Sequence, residues 1–144
     1  MVIGIFGESC VGKSTLATSI QGQMGGEIVT GKDYLRLAKS EAAARTLFQE
    51  KLRQALSGSH IIYVISEKEH LALLPEGAVR ILVTADLDTI LDRFASRMHG
   101  TVPAPVKAML ERKHGSFDEE PHHIHITGTG ECVEELCSRI QHIL

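Results

Sequence analysis

The sequence predicts a three-layer α/β/α sandwich built on a five-stranded parallel sheet. Short apolar runs alternate along the chain with segments whose apolar residues recur at helical spacing. Glycines and prolines separate these segments. Regular alternation of strand and helix implies right-handed crossovers between parallel strands. The 144 residues suffice for one domain with one core.

The predicted strands are recognised by their apolar runs. The runs 2–6, 28–29, 61–65 and 79–83 are nearly continuous, as in strands that are covered on both faces. The fifth run, 122–127, alternates instead, with Ile124 and Ile126 opposite His123 and His125. Such alternation is typical of a strand with one exposed side, so we expect it at an edge of the sheet.

Helical spacing of apolar residues defines the segments between the strands. It predicts helices over 13–24, 38–56, 69–74 and 106–113, and a last one over 133–143. Another helix is expected after Asp86, a suitable N-cap residue. The residues expected to face the core are Leu47, Phe48, Leu52, Ala55 and Leu56 in the second helix, and Ile90, Leu91, Phe94 and Met98 in the helix after Asp86.

Composition and charge argue against several classes of protein. Apolar residues make up 43% and charged residues 23% of the chain, which is ordinary for a folded protein and argues against disorder. A formal net charge of −3 argues against stable binding to nucleic acid. No apolar run is long enough to span a bilayer, so no membrane association is expected. The cysteines, Cys10, Cys132 and Cys137, are odd in number and predict free thiols in the cytoplasm.

One segment carries the clearest chemical signal. It reads GESCVGKS over residues 7–14 and matches the phosphate-binding pattern G-x-x-x-x-G-K-[ST] at every fixed position. A predicted buried strand precedes it and a predicted helix follows it, which is the context that the pattern requires. We therefore expect a nucleoside triphosphate, most simply ATP, to be held by Gly7, Glu8, Ser9, Cys10, Val11, Gly12, Lys13, Ser14 and Thr15.

Each fixed residue of this phosphate loop has a chemical reason. Gly7 and Gly12 allow backbone angles and close approaches that a Cβ would obstruct, so that main-chain amides converge on phosphate oxygens. Lys13 brings a positive charge to the β and γ phosphates, and Ser14 offers its hydroxyl to Mg²⁺. The helix that begins there adds its positive dipole end. The predicted cofactors are thus ATP and Mg²⁺, with Ser14 as the metal ligand.

The strand, phosphate loop and helix together resemble the P-loop NTPase superfamily. The short length, and two arginines followed by a basic segment rich in glycine and proline, resemble its small-molecule and nucleoside monophosphate kinase branch, which includes adenylate and shikimate kinases. The resemblance implies a single P-loop kinase domain over 1–144 with a short lid at 100–116. It also implies that Arg93 and Arg97, together with Lys13, stabilise the transferred phosphoryl group. A solvated helix face is the alternative for the two arginines.

A candidate general base follows the second strand. The run 31–36 is similar to the segment in which several hydroxyl-phosphorylating P-loop kinases carry an aspartate that takes or orients the acceptor's proton, and this assigns the role to Asp33. Arg36 is then a candidate acceptor-binding residue. Asp33 would lie at the sheet edge where open α/β folds bind ligands. An aspartate that caps a helix or closes a turn fits the sequence equally well.

Some features of the resembling families are missing. The strand 61–65 ends in Ser66 and Glu67 without a standard Walker B acid, which leaves Glu67 or Asp33 to orient the water shell of the metal. The aspartate-glycine-aromatic-proline-arginine run of typical nucleoside monophosphate kinases and the N-K-x-D segment of GTPases are absent as well. We expect an ATP-dependent phosphotransferase that acts on a hydroxyl or phosphate of a small-molecule acceptor. The alternatives are an ATP-binding regulatory module and a slow NTP hydrolase.

Two further features carry weaker signals. His122, His123 and His125 could hold a metal, but no cysteine or carboxylate completes the set, and an exposed edge strand is the better explanation. Residues 127–130 are a candidate adenine-contacting loop by the same resemblance, or a plain turn between strand and helix. The sequence leaves the identity of the acceptor and the oligomeric state open.

Overall fold

Strands and helices alternate along the chain, as the sequence predicts. A computed structural model describes residues 1–127 and 133–143. The strands are β1 Val2–Phe6, β2 Glu27–Thr30, β3 Ile61–Ile65, β4 Val79–Thr84 and β5 Ile124–Thr127. The α-helices are α1 Lys13–Met24, α2 Glu41–Ala55, α3 Leu87–Arg97, α4 Ala104–Lys113 and α5 Val133–Ile143, with short 3₁₀ helices at Asp33–Leu37 and Lys68–Leu73.

The five strands form one sheet in the order β2-β3-β1-β4-β5, and every pairing is parallel. The central strand β1 pairs Val2 with Ile61 of β3 and Ile3 with Val79 of β4. Every residue of β1 and β3 is buried, which explains their continuous apolar runs. The predicted α/β/α fold class is confirmed.

Each face of the sheet is covered by its own hydrophobic cluster. One cluster holds Ile3, Ile5 and Ile20 and extends to the buried face of α5. The other packs Phe48 and Leu52 of α2 against Tyr63 of β3. The Phe48 and Tyr63 rings meet edge to face, with centroids 4.9 Å apart. The sheet is therefore the middle layer of three.

The edge strand β5 begins two residues later than predicted. His123 explains the difference, because its Nδ1 accepts a hydrogen bond from the Arg80 amide at 2.9 Å while its own amide donates to the Arg80 carbonyl at 2.8 Å. This side-chain bond replaces regular strand pairing at the start of the run. The predicted alternation is present beyond it, with Ile124 and Ile126 buried and His125 exposed.

Several predicted helix positions need correction. Helix α2 begins at Glu41 rather than at 38, because Ser40 accepts a hydrogen bond from the Ala43 amide at 3.2 Å and caps the helix. Leu47 is 50% exposed, so its place in the core was wrongly predicted. Met98 is also wrongly predicted as core, because it lies just after α3 and is 43% exposed. Asp86 does occupy the N-cap position of α3, but its side chain makes no capping hydrogen bond.

The two remaining helices differ from prediction in extent or type. The segment expected as a helix over 69–74 is the 3₁₀ helix Lys68–Leu73. Helix α4 begins at Ala104, two residues earlier than predicted, with Pro105 in its first turn. Proline is tolerated there because the first amides of a helix have no intrahelical partner.

Candidate phosphate-binding site and the adjoining cavity

The phosphate loop connects β1 to α1 at the carboxyl edge of the sheet, and its glycines are required by close packing and backbone conformation. A Cβ on Gly7 would lie 2.3 Å from the Val83 carbonyl oxygen of the neighbouring strand. Gly12 has φ 101°, a left-handed conformation that favours glycine, at the N-cap of α1. Cys10 is also left-handed, with φ 63°, and its side chain is buried. The loop is therefore a tight bend against β4.

Lys13 lies inside this bend. Its side chain is buried, and its Nζ donates hydrogen bonds to the Gly7 carbonyl at 2.9 Å and to the Glu8 carbonyl. Burial, with a smaller contribution from the positive charge of Arg97, lowers the pKa of Lys13 to about 8, against the opposing effects of Cys10 and Glu8. The loop thus holds a desolvated amine that an anionic ligand would stabilise in its charged form.

A cavity of about 130 Å³ opens beside the phosphate loop. Its lining combines the loop, the start of α1, β3 with the residue after it, and α3: Ser9, Cys10, Gly12, Lys13, Ser14, Thr15, Val64, Ser66 and Arg97. The bend at Gly7 and Gly12, the amine of Lys13 and the start of a helix fit a bound phosphate group. The exposed Ser14 hydroxyl fits a ligand of Mg²⁺. Ser66 lies at the end of β3, where a Walker B acid would be expected.

The structure brings both predicted arginines to the phosphate loop but gives them different environments. Arg93 donates a hydrogen bond from Nη1 to the Cys10 carbonyl at 2.9 Å, and this bond connects α3 to the backbone of the phosphate loop. Arg97 lines the 130 Å³ cavity and interacts electrostatically with Lys13. Of the two, Arg97 therefore reaches the cavity, whereas Arg93 contacts the backbone of the loop.

Asp33 closes a turn after β2. Its carboxylate accepts hydrogen bonds from the Thr30 amide at 3.0 Å and from the Thr30 hydroxyl at 2.9 Å, and these bonds lower the pKa of Asp33 below its ordinary value. The residue is exposed and is not part of the described lining of the cavity beside the loop. These contacts match the turn aspartate that the sequence also allowed. The role of Asp33 as a base stays a prediction.

A larger cavity, of about 410 Å³, adjoins the first. Its lining comes from the phosphate loop, the residues after β3, and the segment from α4 onward: Glu8, Ser9, Ser66, Glu67, Lys68, Glu69, Met109, Leu110, Lys113, Ser116 and Phe117. Ser9 and Ser66 line both cavities. Sequence reasoning noted Glu67 only as a possible metal-orienting residue and did not identify Glu69 or Phe117. For Glu69, the available signal was its position shortly after the end of a predicted strand.

The later part of the segment predicted as a lid, 100–116, lines this larger cavity and contacts the phosphate loop. Glu8 accepts a hydrogen bond from the Gly115 amide at 3.2 Å, and its other oxygen lies 3.2 Å from Nδ1 of His114. Beyond the segment, Phe117 is buried against Phe6, with ring centroids 5.9 Å apart. The role of the segment as a lid stays a prediction.

Two histidines of the predicted edge strand contact residues of the neighbouring strand β4. His123 bonds to Arg80, as described above, and Nε2 of His125 lies 2.8 Å from the Thr84 hydroxyl. Within the part of the chain that the structure describes, the side chains grouped closely enough to hold a metal are instead Glu67, Glu69 and His70. The edge-strand explanation is therefore favoured. The candidate adenine loop, 127–130, lies outside the described residues except for Thr127.

The thiols and helices bear on two further predictions. Cys10 and Cys137 are free thiols, and Cys132 lies outside the described residues. None of the helices found within 1–127 and 133–143 has the length and apolar character needed to cross a bilayer.

Comparison with known proteins identifies the fold. No protein-family model and no curated protein matches the chain. Among solved structures, a presumed kinase from Chloroflexus aurantiacus superposes with a TM-score of 0.68 at 15% identity, covering 99% of this chain and 97% of that one. The chain has the P-loop small-molecule kinase fold.

Two further matches show how broadly this P-loop kinase fold is shared. A gluconokinase from Sinorhizobium meliloti 1021 gives a TM-score of 0.60 at 13% identity, covering 96% of this chain and 88% of that one. A shikimate kinase from Acinetobacter baumannii in complex with shikimate gives 0.59 at 15% identity, covering 99% and 91%. At such identities the likeness concerns the fold, and the substrate has to be argued from the side chains of this chain.

Proposed function

We propose that this protein is an ATP-dependent phosphotransferase that moves the γ-phosphate of ATP to a hydroxyl or phosphate of a small-molecule acceptor. The observation that carries the proposal is the adjacency of the two cavities. One contains Lys13 and Ser14, the other is larger and mixed in polarity, and Ser9 and Ser66 form part of both walls. A donor and an acceptor bound in them would be neighbours, which direct transfer requires.

The smaller cavity supplies the groups that phosphoryl transfer needs. Bound ATP would supply the phosphoryl group, and Mg²⁺ at Ser14 would neutralise part of its charge. Lys13 and Arg97 would place positive charge around the equatorial oxygens, where negative charge is spread in the transition state. Arg93 would keep the loop amides in place through the Cys10 carbonyl. This is a positioning role rather than direct contact with phosphate.

The larger cavity offers an acceptor both apolar and polar walls. Met109, Leu110 and Phe117 line it from the segment that begins in α4, and Glu67 and Glu69 line it from the residues after β3. Such a mixture suits a polyhydroxylated or ring-shaped small molecule. The gluconokinase and shikimate kinase of this fold are named for molecules of that kind.

The proton of the acceptor hydroxyl requires a base. The family resemblance assigns this role to Asp33, whose carboxylate accepts hydrogen bonds from Thr30 that lower its pKa. Glu67 lines the larger cavity directly and is the second candidate for orienting a metal-bound water. Substitution tests the role of Asp33, since loss of the base should reduce transfer while leaving ATP affinity unchanged.

A regulatory ATP-binding module or a slow NTP hydrolase is the second candidate. The observation that favours it is Ser66, which lines the phosphate cavity at the end of β3 where many P-loop enzymes place an acid. A site without that acid would bind nucleotide and hydrolyse it slowly. No acceptor would then stimulate turnover.

The test measures ADP release with MgATP alone and with pools of nucleosides, nucleotides, sugars and antibiotics. Stimulation by one pool supports the kinase, whereas binding without stimulation by any pool supports the module. Lys13→Ala should weaken ATP binding, and Lys39→Ala, at an exposed lysine outside both cavities, is the matched control. Asp33→Asn should abolish transfer and keep ATP affinity. Intact turnover in Asp33→Asn would show that the base is another residue.

A further inference from the structure

Three potential metal ligands meet just after β3. Glu67, Glu69 and His70 each offer a ligand atom, and these atoms lie within 4.8 Å of one another. Glu67 is the N-cap residue of the short 3₁₀ helix that contains the other two. The tight turn of this helix therefore gathers the three side chains, which we call the β3-end cluster.

The histidine of the β3-end cluster is buried without a hydrogen bond. His70 is 2% exposed, and its Nδ1 has no hydrogen-bond partner among the described residues. Its Nε2 lies 3.8 Å from Oε1 of Glu69, which is beyond hydrogen-bonding distance. Nε2 is thus the nitrogen on the side of the carboxylates, and it too has no hydrogen bond within the described residues. Buried imidazoles are nearly always hydrogen-bonded, so this unpaired Nε2 points to a missing partner. Its orientation is fixed by packing, because the Tyr34 ring meets it edge-on with centroids 6.0 Å apart.

Within the described residues, neither carboxylate is hydrogen-bonded or ion-paired to a residue outside the cluster. Both are exposed, and the Glu67 carboxylate has no hydrogen bond or ion pair within the described part of the chain. Metal–ligand bonds of about 2.0–2.2 Å hold tetrahedral ligand atoms roughly 3.4 Å apart, so the exposed side chains need only a small adjustment. A buried imidazole with two carboxylates favours Zn²⁺ or a similar transition metal over Mg²⁺, which prefers oxygen ligands alone.

We infer that Glu67, Glu69 and His70 bind a divalent transition-metal ion of the Zn²⁺ type, at a site separate from the Mg²⁺ expected at Ser14. Three protein ligands leave a fourth position open. Glu67 and Glu69 also line the 410 Å³ cavity, so the open position would be filled by water or by an oxygen of a molecule in that cavity. The inference does not depend on phosphoryl transfer.

The test uses the full chain without nucleotide or Mg²⁺, so that the phosphate loop does not contribute an ion. Zn²⁺ affinity is measured by competition with a fluorescent chelator, and Co²⁺ binding is followed by its visible absorption. We expect Glu67→Gln and Glu69→Gln each to weaken Zn²⁺ binding about tenfold or more, since each removes a ligand. Glu76→Gln, at an exposed glutamate outside the cluster, is the matched control.

Further variants separate this site from other sources of binding. Ser14→Ala and the double variant His122→Gln/His125→Gln should bind Zn²⁺ like the wild type. Because His70 is buried, His70→Gln is judged only if its circular dichroism and unfolding temperature remain native, and the carboxylate variants carry the test otherwise. Zn²⁺ should raise the unfolding temperature of the wild type and not that of Glu69→Gln. Absence of Zn²⁺ binding, wild-type affinity in both glutamate variants, or loss only in the His122/His125 variant would each overturn the inference.

Discussion

Replacing Lys13 with methionine should stabilise the protein in the absence of nucleotide while removing its affinity for phosphate. Lys13 is only 5% exposed, and burial lowers its pKa from 10.5 to about 8. This difference corresponds to a penalty of about 3 kcal/mol on the charged amine in the folded state. Methionine has a similar shape without the charge, and so it avoids the penalty.

The expected gain is smaller than the full penalty. Methionine leaves the Gly7 and Glu8 carbonyls without the Nζ donor, which offsets part of it, so we expect a net gain of about 1–2 kcal/mol at pH 7. Each kcal/mol raises the unfolding temperature of a chain of this size by about 2–4 °C. Lys13→Met should therefore unfold roughly 2–8 °C above the wild type.

The pH dependence gives a second check. Below about pH 8 Lys13 is protonated in both folded and unfolded states, so the penalty is fully present. Between pH 8 and 10.5 the unfolded state binds more protons than the folded state, so the stability of the wild type rises with pH. By pH 9.5 this contribution reaches about 2 kcal/mol, and the advantage of Lys13→Met over the wild type should disappear.

The assay is thermal unfolding followed by circular dichroism at pH 7 and at pH 9.5, with Lys39→Met as a control at an exposed lysine. Adding MgATP at pH 7 should stabilise the wild type and the control but not Lys13→Met. If Lys13→Met is less stable than the wild type at pH 7 without nucleotide, or if its advantage is the same at both pH values, the argument from a buried charge is refuted.

The remaining predictions concern the backbone and the arginines of the loop. Gly7→Ala should destabilise the fold by about 3 kcal/mol or more in chemical denaturation, because its Cβ would overlap the Val83 carbonyl. Gly22→Ala, where a Cβ meets nothing within 4 Å, should instead stabilise α1 by up to about 1 kcal/mol. Arg93→Ala should lower stability by about 1–2 kcal/mol through the lost hydrogen bond to the loop. Arg97→Ala should leave stability within about 0.5 kcal/mol and reduce acceptor-stimulated ADP release about 100-fold, and equal effects of the two arginine variants on stability would contradict their separate roles.

Which parts of the site were predictable depends on the range of the interactions involved. The strand, phosphate loop and start of α1 follow from residues close together in the chain, since a buried apolar run and two constrained glycines define them locally. By contrast, Arg93 and Arg97 share a helix face and look equivalent in sequence. Only the packing of α3 against the loop assigns one to the Cys10 carbonyl and the other to the cavity.

The same distinction explains the errors in the core. Leu47 and Met98 are apolar and were placed on the predicted stripes, but the packing of α2 and the end of α3 at Arg97 leave both side chains exposed. Asp33 illustrates the converse case, because its bonds to Thr30 are local and the turn alternative was visible in sequence.

By itself, the sequence determined the alternation of strands and helices, the parallel sheet, and a phosphate loop at Gly7 to Ser14, because periodicity and glycine conformation act over a few residues. Tertiary structure alone decided that Glu8 meets Gly115 and His114, that two cavities share Ser9 and Ser66, and that His70 is buried beside two carboxylates. The physical reason is that strand order, set by packing across the whole sheet, brings together side chains from distant segments, and no local pattern encodes those meetings.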